Sequence, residues 1–517
     1  MLVTEMNLNN ITKTRKSGVI PIRALIWVML FSSTLFLYML RTNISIILLA
    51  MVDTEGTSNS LVAIPECKVI NGTKIFDTTY YNDSSLAEKQ ISGKNFKPNT
   101  YNWDSKLQGY ILGAYFWGFV ISNIPAAAIA EKYGSRKCLA ISFIVSSVLT
   151  LLGPLCASLH PYLLIGSRFF IGLFAGTVYP AVHCMISKWA PPEEKGKFIS
   201  ATLGGSLGTV LTWPLLGNII EHISWDWAFY LTGIIVLLWT VSWTFLVRDS
   251  PEEHPWISDK EKEYIINSLS GTVSTTKRIP PYKSIVCSLP AWALFVAQFG
   301  NLWGLFFLMT AGPRFMSTVL GFDLGHTGIL SALPYLARMI AGFVFGIVGD
   351  LMVRRELMTK TAVRKSFILL SHIVPGLLLI SQTFVGCEIT WVIILITLSL
   401  ASNGASTITN LSNAQDLAPN FAGSIYGIAN CIGSTTGFIS PIIVGFVTAE
   451  HNGLSEWHTI FYIGAAVYIG CGIFFAIFGT ADIQQWNYSE DERPETSITR
   501  EGIDNVAFEK ISCEHKL

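Results

Sequence analysis

Twelve blocks of predominantly apolar residues, each about 20 residues long or longer, recur along this 517-residue chain. A helix of about 20 apolar residues crosses the roughly 30 Å hydrocarbon core of a bilayer, where each backbone polar group needs a partner within the protein. The blocks therefore predict twelve transmembrane helices, called spans 1 to 12. They lie near residues 24–52, 106–130, 138–156, 162–188, 198–221, 228–247, 290–313, 328–349, 367–385, 389–413, 424–447 and 459–478.

The low share of charged residues supports a membrane protein and excludes other classes. Charged residues make up 14% of the chain and apolar residues 51%, whereas soluble proteins carry about 25% charged residues. Basic and acidic residues number 35 each, so no basic field is available for nucleic acid. Span 1 is too long for a cleavable signal peptide and contains Arg41. We expect the lipid bilayer as a partner and no nucleic acid.

The nine cysteines do not have the spacing of a disulfide scaffold, and the chain contains no C-x-x-C pair. Five of them lie inside apolar blocks, where a thiol behaves as a small hydrophobic group. We expect these five to be buried packing residues: Cys138, Cys156, Cys184, Cys431 and Cys471.

Basic residues are concentrated in the short loops after spans 2, 4 and 8. These loops hold Lys132, Arg136, Lys137, Lys188, Lys195, Lys197, Arg354, Arg355, Lys360, Arg364 and Lys365. The short loops on the other side, near 157–161, 222–227, 317–326, 386–388 and 449–458, hold no Lys or Arg. The positive-inside rule then predicts that both termini are cytoplasmic. Loop 53–105 is predicted on the opposite face, where its sequons at Asn71 and Asn82 are expected to be glycosylated.

One long polar connection, 248–287, divides the spans six and six. Within it, Ser258 and Glu261 have capping-box spacing and predict a short helix that ends near Leu269. The strings AEKYGSRK from Ala130 and VGDLMVRR from Val348 resemble each other, although any inner loop collects glycine and basic residues. We predict an all-α membrane protein with two pseudo-symmetric six-helix halves. The predicted order is tail 1–23, half 24–247, linker 248–287, half 288–480 and tail 481–517.

Few ionisable groups lie within the spans, and they are basic. They are Arg41, Arg168, His183, Arg338 and His372. Charges inside a bilayer face a cavity or a partner and mark functional sites by default. Because arginine matches carboxylate, phosphate and sulfate oxygens bidentately, this set indicates an anionic substrate. The alternative is that the arginines extend to the lipid headgroups.

Span 4 carries several of these groups on one broad face at 100° per residue. The face comprises Arg168, Gly172, Ala175, Gly176, Tyr179 and His183. Gly172 and Gly176 form G-x-x-x-G, which permits close helix approach, and Pro180 is expected to bend the helix. His183 could carry a proton or bind the anion, or it could be a packing residue.

Span 10 has a second polar stripe, which suits either an aqueous path or interhelical hydrogen bonds. The stripe consists of Ser399, Ser402, Asn403, Ser406 and Asn410. In span 7, Asn301, Trp303 and Phe306 are expected to pack. Gly204, Gly205 and Gly208 lie inside span 5 and indicate helix packing rather than a phosphate loop. No metal-ligand or nucleophile motif is present in the sequence, so we expect no enzyme activity and no metal site.

Several strings resemble the anion:cation symporters of the major facilitator superfamily, which include sialin, the vesicular glutamate transporters and the type I sodium–phosphate cotransporters. The resemblance covers about 24–486 and is strongest in GSRFFIGLFAGTVYPAVHCMISKWAPPEEKGK from Gly166. Further strings are YMLRTNIS around Arg41, SPEEHPWISDKEKEYI from Ser250, LSALPYL at Leu330 and QDLAPNFAGSIYGI at Gln415.

The resemblance implies a twelve-helix fold, alternating access and a central anion site. It implies substrate binding by Arg41, Arg168 and His183, with His183 also in coupling; Tyr179, Asn301 and Arg338 are added as candidate substrate ligands. The chain departs from the family pattern at three places. Ala175 stands where the sialin and vesicular glutamate branches have an acidic residue that is associated with proton coupling, and Ile171 stands where sialin has another acidic residue. Asn301 stands where the vesicular glutamate transporters have an arginine.

These departures favour sodium-dependent cotransport of inorganic phosphate. The alternatives are a proton-coupled, sialin-like transporter of acidic sugars or other small organic anions, and a membrane anion sensor that transports nothing. We expect no cofactor beyond a coupling ion, sodium or proton. No acidic dileucine or tyrosine-based sorting signal was found in the tails, which favours the plasma membrane over a lysosome or vesicle.

Overall fold

The computed structural model describes residues 21–52, 67, 100–191, 194, 197–198, 200–269 and 280–488. In these ranges every predicted span coincides with helix. The spans are Ile22–Met51, Ser105–Tyr133, Ser135–Leu151 with Gly153–Leu159, Pro161–Trp189, Ser200–His222, Trp225–Leu246, Leu289–Thr318, Leu324–Arg354, Lys360–Val385, Ile389–Leu417, Ala422–Val447 and Leu454–Phe478. Among the described residues, ten helices are long and apolar enough to cross a membrane, and the pair in span 3, bent by 47°, makes an eleventh. Span 2 is a continuous helix of 29 residues.

Span 4 breaks where its proline requires it. Its first helix ends at Ala175 and its second begins at Val178, so the break lies one turn before Pro180. Proline cannot donate to the carbonyl four residues earlier and crowds it, which interrupts the ladder there. The helix is interrupted close to Pro180, between Arg168 and His183.

Spans 1 to 6 form the N-terminal half and spans 7 to 12 the C-terminal half. The end of the bundle that carries Ile22 and the connection 248–281 is called the linker end, and the end that carries Met51 and Ser105 is called the long-loop end. At the long-loop end Tyr101 N donates to the Met51 carbonyl over 2.7 Å, which brings the two ends of loop 53–100 together.

The two halves pack closely at the long-loop end. A Cβ added to Gly109 of span 2 would lie 2.6 Å from the Pro441 carbonyl oxygen of span 11, and one added to Gly217 of span 5 would lie 2.5 Å from the Leu324 carbonyl oxygen of span 8. Towards the linker end, Cβ atoms added to Gly423 and Gly427 of span 11 would meet no described heavy atom within 4 Å. The bundle is therefore closed at the long-loop end, whereas Gly423 and Gly427 border open space towards the linker end.

The linker helix forms as predicted and also holds span 1. It runs from Asp259 to Leu269, and Glu261 N donates to Ser258 Oγ over 3.3 Å. The Glu261 carboxylate accepts from the backbone N–H groups of Ile22, at 3.1 Å, and Arg23, at 3.0 Å. These are the first two residues of span 1, whose N–H groups lack helical partners. The linker therefore caps the first span.

Glycines bring the helix backbones together inside the N-terminal half. A Cβ added to Gly172 would lie 1.8 Å from the Tyr115 carbonyl oxygen, and one added to Gly176 would lie 2.1 Å from Ser122 Oγ. In span 5, Gly204 and Gly208 meet span 1 in the same way. The predicted packing role of both glycine groups is confirmed.

A disulfide joins Cys67 of the long loop to Cys387 between spans 9 and 10. This bond was not predicted, because the cysteine spacing indicates no disulfide framework and 320 positions separate the two residues. Cys67 N also donates to the Val319 carbonyl over 3.2 Å. A segment between two N-terminal spans is thus fastened to the C-terminal half. Cys138 and Cys471 are buried in their spans, as predicted, whereas Cys156, Cys184 and Cys431 are only half-buried.

Candidate functional site

Arg41 lies in a cage of aromatic rings between the two halves. Its side chain is buried, and its guanidinium carbon lies 4.5 to 5.1 Å from the centroids of five rings. Four rings come from the N-terminal half and one, Phe306, comes from span 7 of the C-terminal half. The five are Tyr38, Tyr115, Phe116, Phe119 and Phe306. Their faces attract the cation but accept no strong hydrogen bond.

Two donor atoms of Arg41, Nε and Nη2, are buried without a hydrogen-bond partner among the described residues. Buried N–H groups are nearly always paired, and a charged one left unpaired is costly. The sequence alternative of an arginine that extends to the lipid headgroups is wrong for Arg41, since the side chain is enclosed. The geometry suits a small anion that would complete its hydrogen bonds.

Arg168 is equally buried but is bonded within the protein. It donates from Nη1 to the Leu40 carbonyl over 3.1 Å and from Nη2 to Asn43 Oδ1 over 3.0 Å, and Asn43 donates in turn to Thr232 Oγ1. Arg168 therefore joins spans 4, 1 and 6, and its side chain is not at the lipid headgroups either. Nη1 and Nη2 are thus bonded inside the N-terminal half, whereas Nε is buried without a hydrogen-bond partner among the described residues.

Tyr179 and His183 lie on the second helix of span 4, towards the linker end. The Tyr179 hydroxyl lies close to Tyr38 and Arg41 and also near Tyr426 of the C-terminal half. His183, one turn further along, is exposed and has no hydrogen bond among the described residues. The structure thus places Tyr179 beside the Arg41 cage and leaves His183 accessible.

Arg338 contacts Asn301, another of the candidate ligands, in the C-terminal half. Its Nε donates to Asn403 Oδ1 over 3.0 Å, and its Nη2 lies 3.5 Å from Asn301 Oδ1. Asn301 is on the same helix as Phe306, five residues earlier, which is about 7.5 Å along the axis. Arg41 and Arg338 therefore approach span 7 at neighbouring levels from the two halves.

The polar stripe of span 10 is used mainly for interhelical hydrogen bonds. Asn403 Nδ2 donates to the Ser371 carbonyl over 3.3 Å, and Asn410 Nδ2 donates to Gln298 Oε1 of span 7 over 2.7 Å. Ser399 Oγ donates to the Pro375 carbonyl over 3.4 Å. Of the two alternatives for the stripe, the structure favours interhelical bonding at these three positions.

Ala175, where sialin-type sequences carry an acid, packs beside Tyr115, Ser142 and Ser146. No carboxylate among the described residues lies within salt-bridge distance of Arg41, Arg168 or Arg338. The predicted excess of positive charge in the interior is therefore not neutralised within the described part of the protein.

Sequence reasoning missed the aromatic cage and one buried cation, Arg314. Arg314 lies one residue beyond the predicted end of span 7, whereas the helix continues to Thr318. Phe306 was interpreted as a packing residue, but its ring also forms one side of the cage around Arg41. The sequence signal for Arg314 was its position directly after the predicted end of span 7. The sequons at Asn71 and Asn82 lie outside the described residues.

The sequence of the chain is similar to those of known membrane transporters. The sequence profile of the Major Facilitator Superfamily matches residues 26–441. Sialin of Ovis aries is 35% identical over 88% of this chain and 89% of its own length. Sodium-dependent phosphate transport protein 1 of Mus musculus is 32% identical over 76% of this chain and 84% of its own length. The chain belongs to the anion:cation symporter family of the major facilitator superfamily.

This family member is a multi-pass membrane transporter and not an enzyme. Its fold matches a bacterial homolog to the human lysosomal transporter Spinster, solved in an inward-facing and unoccupied conformation, with a TM-score of 0.61 at 13% identity over 92% of this chain and 100% of that chain. At that identity the match concerns the fold alone. The two-half architecture places the Arg41 cage where the halves of such transporters meet.

Proposed function

We propose that this protein is a secondary active transporter of a small anion, with Arg41 as the central substrate ligand. The main support is that Nε and Nη2 of the buried Arg41 guanidinium have no hydrogen-bond partner among the described residues. A bound carboxylate or phosphate would supply the missing acceptors in charge-assisted hydrogen bonds. Arg338, Asn301 and Tyr179 are proposed as further ligands, and Arg168 holds the surrounding helices.

The location of the cage supports alternating access. Phe306 belongs to the C-terminal half and Arg41 to the N-terminal half, so the cage would be opened by a movement of one half against the other. The bundle is closed at the long-loop end, whereas Gly423 and Gly427 border open space towards the linker end. This is one of the two states that a rocking mechanism requires.

We propose that the linker end is cytoplasmic. The basic short loops support this orientation through the positive-inside rule. The Cys67–Cys387 disulfide lies at the other end, and disulfides persist in oxidising compartments such as the cell exterior and the secretory lumen. In that orientation the structure faces inward.

Sodium-driven transport of inorganic phosphate is the first candidate activity, because Ile171 and Ala175 cannot exchange protons. The second is proton-driven transport of an acidic sugar or another organic anion, with His183 as the accessible proton carrier. The relatives named sialin and sodium-dependent phosphate transport protein support the two candidates equally. A sensor that binds the anion without flux is the third.

The test is uptake into proteoliposomes that contain the purified protein. Labelled phosphate is supplied with an inward sodium gradient, and labelled glucuronate with an inward proton gradient. Arg41→Gln is expected to reduce uptake by about 10- to 100-fold, because a hydrogen bond to a charged group contributes about 1.5 to 3 kcal/mol. Arg338→Gln is expected to weaken affinity in the same assay. Arg355→Gln, at an exposed arginine near the linker end, is the matched control and should transport normally.

The outcomes separate the candidates. Sodium-driven phosphate uptake that Arg41→Gln abolishes supports the first activity, and proton-driven glucuronate uptake supports the second. Binding of either probe without flux supports the sensor. Flux that Arg41→Gln leaves unchanged would contradict the assignment of Arg41.

A further inference from the structure

Arg314 is a buried cation that the proposed site does not use. It lies in span 7 near the long-loop end, and its side chain is 8% exposed. Its Nη2 donates to Ser105 Oγ of span 2 over 2.8 Å. Among the residues that the structure describes, no carboxylate forms an ion pair with it. Its only identified side-chain acceptor is thus a neutral hydroxyl.

The Arg314–Ser105 hydrogen bond crosses between the two halves. Ser105 begins span 2 of the N-terminal half, and its hydroxyl donates to the Thr448 carbonyl at the end of span 11 over 3.0 Å. Both contacts lie in the closed end of the bundle. Gly445 also approaches span 2 closely there, since a Cβ added to Gly445 would lie 2.6 Å from the Ser105 carbonyl oxygen. Separation of the halves at this end breaks both bonds.

Opening of the long-loop end would leave the Arg314 guanidinium in a hydrated entrance without its hydroxyl acceptor. An arginine inside a membrane protein that lacks an acidic partner suits an anion, because its planar fork matches carboxylate and phosphate oxygens. Arg314 lies eight residues beyond Phe306, about 12 Å further along span 7. It is therefore the next cationic position between the Arg41 cage and the long-loop end.

We infer that Arg314 is a second anion-binding site, which holds the transported anion at the long-loop entrance before it reaches Arg41 or after it leaves. In the closed state Ser105 Oγ occupies the position of the anion oxygen. The inference rests on the proposed anion transport but concerns a different site and a different state of the transporter. The ligand chemistry is a small oxyanion, a phosphate or a carboxylate.

The test compares Arg314→Gln with Ser105→Ala, because the two variants remove the same hydrogen bond while only the first removes the charge. The KM and kcat of uptake from the long-loop face are measured with phosphate and with glucuronate as probes. All variants also carry Gly423→Cys, because Gly423 borders open space at the linker end. A thiol reagent that cannot cross the bilayer then blocks the transporters whose linker end faces the outside of the vesicle. Gly423→Cys without the Arg314 or Ser105 changes is the reference.

Arg314→Gln is expected to raise KM at the long-loop face by about tenfold, the effect of losing one charge-assisted contact, and to change kcat as Ser105→Ala does, because both variants lose the hydrogen bond between the halves. The dependence of KM on ionic strength should also weaken. Ser105→Ala should keep the reference KM and change only kcat. Arg314→Lys, which retains the charge for folding but not the fork, should raise KM less than Arg314→Gln does.

An unchanged KM in Arg314→Gln overturns the inference. An equal KM increase in Ser105→Ala also overturns it, because Arg314 would then be only a contact that keeps the halves closed. Absence of flux in the reference with both probes contradicts the proposed transport itself, which separates the two failures.

Discussion

Arg41 and Arg168 are similar by sequence and different by environment. Both lie inside apolar spans, and both are buried. Arg168 donates two hydrogen bonds to span 1, whereas Arg41 faces five aromatic rings and leaves two donor atoms unpaired among the described residues. A buried group that is bonded contributes to stability, and one that is unbonded is available to a ligand.

We predict that Arg168→Gln destabilises the protein more than Arg41→Gln does. The first change removes both hydrogen bonds to span 1 and leaves Asn43 Oδ1 without its donor inside the membrane, at a cost of about 1 to 3 kcal/mol. The second removes no hydrogen bond to the described residues. Thermal unfolding of the detergent-purified variants, in the absence of anion, measures the difference. A lower midpoint for Arg41→Gln than for Arg168→Gln would contradict this division of roles.

At the scale of the helix, small residues determine how spans 2 and 4 fit together. Gly172 and Gly176 allow the backbone of span 4 to approach span 2 more closely than any side chain would permit. This contact carries Tyr115, Phe116 and Phe119 to their places around Arg41. Helix packing and the shape of the candidate site are therefore linked.

We predict that Gly172→Ala lowers stability and anion affinity together. The added Cβ would lie 1.8 Å from the Tyr115 carbonyl oxygen, so the helices must move apart, and overpacking of this kind costs about 1 to 3 kcal/mol. Gly166→Ala is the control in the same helix, because no heavy atom lies within 4 Å of its added Cβ. The thermal midpoint and the phosphate KM are the measurements, and equal values for the two variants would show that the contact is dispensable.

At the scale of the whole molecule, the two halves are joined by more than the linker. Cys67 follows span 1, yet its disulfide partner Cys387 and its hydrogen-bond acceptor Val319 belong to the C-terminal half. The covalent bond lies at the end that is closed here. Under the proposed alternating access this end would open with the two halves still tied together.

We predict that the two halves stay covalently joined after the linker is cut. A specific protease site inserted between Leu269 and Pro280 would be cleaved in the purified protein. The product should run as one species on a denaturing gel without reducing agent and as two with it. Cys387→Ser should give two species in both conditions, and separation of the unsubstituted protein without reduction would contradict the Cys67–Cys387 bond.

The sequence by itself determined the spans, the family and the excess of intramembrane positive charge. Each depends on a local property: the apolar length of a segment, the residues of a contiguous string, or an ionisable group inside an apolar block. The helix breaks near Pro180 and the packing glycines were predictable for the same reason, because their effects arise within a turn or two of helix.

Only the tertiary structure decided that Arg41 has no hydrogen bond among the described residues at Nε and Nη2, that Arg314 bridges the halves, that Cys67 meets Cys387 and which end of the bundle is closed. Each of these depends on groups that are far apart in sequence and are brought together by packing. The availability of a charge to a ligand is set by which donors the surrounding helices already use, and no local pattern in the chain records that.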